Sequence, residues 1–148
     1  MGDNPVTSET PPLQSACPRP VITPETAPFW RSVHARSLEL PVCTSCSRYF
    51  FPPSPFCPQC WSDSVVWAPV LGTGTILTYV TFRRLYDPAF ADLLPYSDAV
   101  IELDEGPRLL SRVTGLLDAS IGARVEVVYE ELDDETTLPL FQVTGGAP

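Results

Sequence analysis

Two Cys-x-x-Cys pairs, Cys43-Thr44-Ser45-Cys46 and Cys57-Pro58-Gln59-Cys60, are separated by ten residues and hold four of the chain's five cysteines. Each such turn can aim two thiolates at one ion. Two facing turns complete a tetrahedron of sulfur, which Zn²⁺ accepts with Zn–S bonds of about 2.3 Å. The spacer is shorter than the usual zinc-finger template, yet long enough for two strands and a turn, as in a zinc ribbon or rubredoxin-like hairpin. Pro52, Pro53 and Pro55 within it exclude a helix between the pairs. Other uses of four cysteines are two disulfides in a secreted protein, a redox dithiol, and iron in the same sulfur cage. A redox pair normally stands alone and opens a helix, unlike these. A closed four-cysteine site keeps no position for a substrate, so one structural Zn²⁺ on Cys43, Cys46, Cys57 and Cys60 is the expectation.

Composition narrows the compartment and the partners. A chain of 148 residues can form one real core. Its net charge is −9, with no lysine and nine arginines. Such a surface repels nucleic-acid backbones and anionic lipid headgroups. No apolar run reaches the roughly 18 residues of a membrane span. Met1 to Gln14 has neither a basic region nor a hydrophobic core, so it does not read as a signal peptide. A cytoplasmic, reducing setting follows, where metal binding outranks disulfides. Cys17 then reads as a bystander.

In chain order, residues 1–22 are rich in Pro, Ser, Thr and acid, and read as a disordered leader. Residues 23–38 form an N-terminal helix: Thr23 caps it, Pro24 takes its first position and Glu25 faces its positive end. On it, the adjacent Phe29 and Trp30 must bury, either closing the core or docking a partner. Residues 39–67 are the zinc ribbon. From 68 to 145 the pattern alternates with period two. Strands are expected at Val70–Arg84, with Ile76, Thr78, Val80 and Phe82 on one face, and at 97–104, 108–114, 122–131 and 138–143. Five strands in about 75 residues, the first bent at Gly72 and Gly74, predict a mainly β protein whose second part is an antiparallel barrel of the oligonucleotide/oligosaccharide-binding (OB) type. A sandwich is the alternative.

The chain contains no self-sufficient catalytic set. His34 is a single histidine on the helix. Gly72-Thr73-Gly74 lacks the third glycine and the helix of a dinucleotide motif. Glu102, Asp104 and Glu105 alternate on a strand and its turn as a solvated face. The long interruption Leu85 to Tyr96 carries apolar residues and favours function. Arg83 and Arg84 beside it could grip phosphate, while Tyr86, Phe90 and Tyr96 stack on an adenine ring.

These features occur in a familiar order: Phe29-Trp30 on a helix, Leu40-Pro41-Val42-Cys43, Phe51-Pro52-Pro53, Cys57-Pro58, Trp67, Gly72-x-Gly74-x-Ile76, Pro95-Tyr96, Leu103-Asp104-Glu105-Gly106 and Ile121-Gly122-x-x-Val125. The chain resembles the DUF35 family, in which a rubredoxin-like zinc ribbon is joined to an acyl-CoA-associated OB fold, over roughly Ala27 to Val143. The resemblance implies a non-catalytic scaffold subunit whose partner is a thiolase-like acyltransferase or lipid-transfer-protein-like aldolase, or a hot-dog enoyl-CoA hydratase, in lipid or steroid side-chain metabolism. It implies that this chain lends surface to the acyl-CoA path while catalysis sits on the partner. The alternative is a nucleic-acid-binding ribbon and OB module. In the family pattern a glycine follows each cysteine pair; here Ser47 and Trp61 stand there, which puts the turn geometry in question.

Overall fold

The computed structural model describes residues 17–115 and 121–145. A turn at Thr23–Thr26 leads into helix α1 (Ala27–His34), and the Thr23 hydroxyl accepts from the Thr26 N–H. The helix is therefore shorter than residues 23–38 suggested, although Thr23 does act at its entrance. Of the expected leader, residues 1–16 lie outside the described residues. Within its last part, Arg19 pairs with Asp133 and donates to Thr136.

Strands β1 (Glu39–Cys43) and β2 (Val65–Pro69) pair antiparallel, with Leu40 opposite Ala68 and Cys43 opposite Val65. Between them runs the ribbon loop. Its return past the first cysteine pair stays beside β1, where the Phe50 N–H donates to the Pro41 carbonyl and the Cys43 N–H to that of Arg48.

The barrel strands are β3 (Thr73–Phe82), β4 (Tyr96–Leu103), β5 (Arg108–Thr114), β6 (Arg124–Glu131) and β7 (Thr137–Gly145). They close in the order β3-β4-β5-β7-β6, with β5 and β7 parallel and the other pairs antiparallel. This is the expected OB-type barrel. Alternation along β4 buries Ala99, Ile101 and Leu103 as the pattern requires.

On β3 the alternation expected at Ile76, Thr78, Val80 and Phe82 fails. Ile76 pairs with Ile101 but Thr78 pairs with Val100, so Leu77 is an extra residue, a β-bulge. One inserted residue exchanges the two faces of everything beyond it. Val80 and Phe82 thereby come opposite Asp98 and Tyr96, while Tyr79 comes opposite the buried Ala99. The bulge thus lies at Leu77, past the two glycines. Those serve close approach: Gly72 has φ +73° with the Val127 side chain against its α-carbon, and Gly74 abuts the β4 backbone.

One core runs through helix, ribbon base and barrel. Phe29, Val33, Leu38 and Leu40 cluster with Ile76, Ile101, Val125 and Phe141. Phe29 is only 4 % exposed, so of the helical aromatic pair it is Trp30 that stays partly at the surface. No helix among the described residues is long and apolar enough to cross a membrane.

Candidate functional site

The sequence offers three candidate sites: a sulfur cluster, an arginine–aromatic loop and a helical aromatic pair. The four cysteines do converge. Their Sγ atoms all lie within 4.8 Å of one another, with Cys43 to Cys60 at 3.6 Å and Cys46 to Cys57 at 3.7 Å. A tetrahedron with arms of about 2.3 Å has edges of about 3.8 Å, so the spacing fits Zn²⁺. Cys43 and Cys57 are fully buried under Phe50 and Val65, and Cys60 opens to solvent.

Each pair is folded as a tight knuckle. The Ser47 N–H donates to the Cys43 carbonyl at 2.7 Å, and the Trp61 N–H donates to that of Cys57 at 2.9 Å. Ser47 has φ +58° and Trp61 φ +60°, the left-handed conformation that glycine would adopt most easily. The turns therefore survive the missing glycines, at a conformational cost of about 1–2 kcal/mol each.

The thiols titrate as a unit. Burial pushes the Cys43 thiol up, but amide N–H groups of Cys46 and Ser45 and the neighbouring thiols outweigh it and bring Cys43 down to about 6. Burial and the surrounding thiols push Cys46 up to about 12. Four thiols so close cannot all ionise alone. A dication removes that conflict, which is the electrostatic case for the metal.

The second site is a cleft of about 370 Å³ beside the barrel. Phe29 and Trp30 of α1, Phe51 of the ribbon, Phe90 of the 3-10 helix Pro88–Leu93, and Tyr96 of β4 line it, with aliphatic side chains of β5 and β7. The helical pair and two of the loop aromatics, which the sequence reading treated separately, thus share one cavity. On one wall Trp30 and Phe51 flank Phe29 at centroid distances of 5.1 and 5.3 Å. On the other, Phe90 lies 5.6 Å from Tyr96; outside the cleft lining the row continues, Tyr96 stacking on Phe82 at 4.9 Å and Phe82 meeting Tyr86 edge-on at 6.1 Å.

Arg83 and Arg84, which lie between Phe82 and Tyr86 in sequence, are exposed and make no ion pair among the described residues. They do not line the cleft. Its cation is Arg112, whose side chain is only 13 % exposed and lies 3.9 Å from Glu130. Asp98 stands opposite Arg112 on β4; burial raises its carboxyl, and Arg112 partly offsets this. Burial, then Asp98, raises the Tyr96 phenol. Asp98 and Arg112 are not singled out by the sequence, and Phe82 is expected on the Ile76 face rather than beside Tyr96. Only recognition of the bulge could have placed Phe82 against Tyr96. His34 is exposed on α1, its Nδ1 at 3.1 Å from the Thr137 hydroxyl.

Comparison with known proteins follows the same division of the chain. Residues 35–66 match the family model described as the rubredoxin-like zinc ribbon domain of ChsH2, and residues 67–130 match its C-terminal OB-fold domain. The chain is 32 % identical over 115 residues to a DUF35 domain-containing scaffold protein of Methanothermobacter thermautotrophicus, covering 75 % of this chain and 86 % of that one. It is 34 % identical over 127 residues to a probable enoyl-CoA hydratase alpha subunit of Thermomonospora curvata, covering 84 % of this chain but only 39 % of that longer protein. Among solved structures, a chain of an Ltp2-ChsH2(DUF35) aldolase superposes with a TM-score of 0.77 at 33 % identity, over 84 % of this chain and 98 % of that one. A DUF35 protein of Sulfolobus solfataricus shares the fold, with a TM-score of 0.59 at 16 % identity over 81 % of this chain and 85 % of that one.

Proposed function

We propose, from the premise that this chain belongs to the DUF35 family with a ChsH2-type zinc ribbon and OB fold, that it is the non-catalytic accessory subunit of an acyl-CoA-processing complex. Its partner is a thiolase-like aldolase or acyltransferase, or a hot-dog hydratase. The names of its relatives support this: scaffold protein, aldolase and hydratase subunit. The observation that carries it is a ligand surface without a reaction centre. Two exposed arginines, with no ion pair among the described residues, lie in sequence between Phe82 and Tyr86 of an aromatic row that reaches an apolar cleft, while the chain's one histidine is hydrogen-bonded to Thr137 and four of its cysteines are grouped as metal ligands.

On this reading, Arg83 and Arg84 hold the nucleotide phosphates and Tyr86 stacks on adenine. Phe82, Tyr96 and Phe90 guide the apolar part of the ligand toward the cleft. The metal holds the ribbon against the barrel and offers no open coordination position.

Affinity purification of the tagged full-length chain from its own cells, with identification and stoichiometry of co-eluting chains and metal analysis, tests the proposal. The expected result is an equimolar thiolase-fold or hot-dog chain together with one zinc per chain. That partner's acyl-CoA turnover should depend on this subunit. A partner equally active without it would overturn the accessory role.

A further inference from the structure

The two knuckles have nearly the same backbone and very different side chains. Ser47 and Trp61 share a left-handed φ within two degrees of one another, and each closes its knuckle through its N–H. Serine bears that conformation with a small polar side chain. Tryptophan bears it with the largest apolar side chain there is, and at Trp61 that side chain is 79 % exposed. Two costs therefore meet at one residue: backbone strain and an apolar surface left in water. Nothing among the described residues repays them, since there Trp61 makes no aromatic contact and belongs to neither core cluster. On the other side of the same cysteine pair Phe56 is 51 % exposed. Strain kept where it serves no internal packing points to a role outside the chain.

We infer that Trp61, with Phe56 beside the same pair, is an anchor that inserts into an apolar pocket of the catalytic partner subunit. This rests on the accessory-subunit reading above and adds where the partner is held. Charge defines the pocket. Residues 54–62 contain no charged side chain, so the tip can be buried without stranding an ion. Behind it, four thiolates around one Zn²⁺ sum to a net −2, which suits a pocket rimmed by Arg or Lys. A second copy of this chain is a poor occupant, because it brings −9 against −9. Trp is also among the residue types enriched at binding hot spots.

The test uses the full-length zinc-loaded chain and the thiolase-fold or hot-dog subunit that co-purifies with it. Trp61→Gly removes the anchor and relieves the strain. Metal content should stay at one per chain and thermal stability should hold or rise, while affinity for the subunit falls by about tenfold or more. Ser47→Gly relieves the same strain at the other knuckle and should leave affinity unchanged. Undiminished affinity in Trp61→Gly overturns the inference and leaves the accessory role standing. So does loss of zinc in that variant, which would make Trp61 a structural part of the ribbon. If no such subunit co-purifies, both readings fall together.

Discussion

Gly74 sits where β3 passes β4 so closely that a Cβ would lie 2.5 Å from the Glu102 carbonyl oxygen and 2.9 Å from Ile101. The obstacle is backbone, which cannot swing aside as a side chain can. Gly74→Ala should therefore lower stability by about 1–3 kcal/mol, the usual cost of overpacking, read from the denaturant midpoint. An unchanged midpoint would mean that the two strands can separate freely. At Asp104 the determining contact is electrostatic. Its carboxylate takes a paired hydrogen bond from Arg124 at 2.7 Å and another from the Thr73 hydroxyl. The Arg124 bonds first, then Thr73, bring it from an ordinary 3.8 to about 2. A depressed carboxyl stabilises the fold fully above its unfolded value and loses that contribution as pH falls through the folded one. The stability difference between wild type and Asp104→Asn should thus be constant above about pH 4 and shrink between pH 4 and 2. A difference independent of pH across that window would refute the assignment.

Among the elements, the ribbon depends most on one interaction. The described segment from Thr44 to Ser64 contains no regular strand or helix beyond a single bridge between Val42 and Tyr49. It is held by the cysteines, Phe50 and a few loop hydrogen bonds. Structural zinc binding is folding energy in such elements. Chelation, or Cys57→Ser, should release the metal and raise amide exchange across 44–64, while the barrel keeps its protection because its core is separate from the sulfur cluster. The complex with the partner should dissociate at the same time. Protection lost equally in both parts would show that the ribbon and barrel unfold as one.

The same scale explains what could be read in advance. Cysteine spacing located the metal ligands because four side chains of one type at fixed intervals admit few arrangements. Alternation located all five barrel strands, since a half-buried strand must repeat every two residues. It could not reveal the bulge at Leu77, because Leu77 to Phe82 reads as an unbroken alternating run on either face. That single residue decides whether Phe82 points into the barrel or joins Tyr96 outside. Arg112 and Asp98 were invisible for another reason. They meet as cross-strand neighbours 14 residues apart in sequence, and only the pairing of β4 with β5 brings them to one wall.

For the molecule as a whole, the division between charge and aromatic surface separates the two binding functions that an OB barrel can have. Single-stranded nucleic acid needs a positive groove along several successive phosphates as well as stacking platforms. This chain has the platforms, but its net −9 leaves the backbone of a long polyanion no favourable track. A compact ligand with phosphates at one end asks for less: two adjacent guanidinium groups and a row of rings leading away from them. Arg83 and Arg84 lie in sequence between Phe82 and Tyr86, whose rings meet, and Phe82 continues through Tyr96 to Phe90, so the chain offers both parts of such a site. A labelled oligonucleotide should consequently show no shift with micromolar protein at 50 mM salt. Acyl-CoA should bind the complex, and the Arg83→Ala/Arg84→Ala pair should weaken it by about tenfold or more, since hydrogen bonds to charged groups contribute about 1.5–3 kcal/mol each. Because both arginines are exposed and make no ion pair among the described residues, their removal should leave the melting temperature unchanged, so a loss of affinity reports the ligand contact itself. Equal affinity in the double variant would move the phosphates elsewhere, and oligonucleotide binding would return the barrel to nucleic-acid recognition.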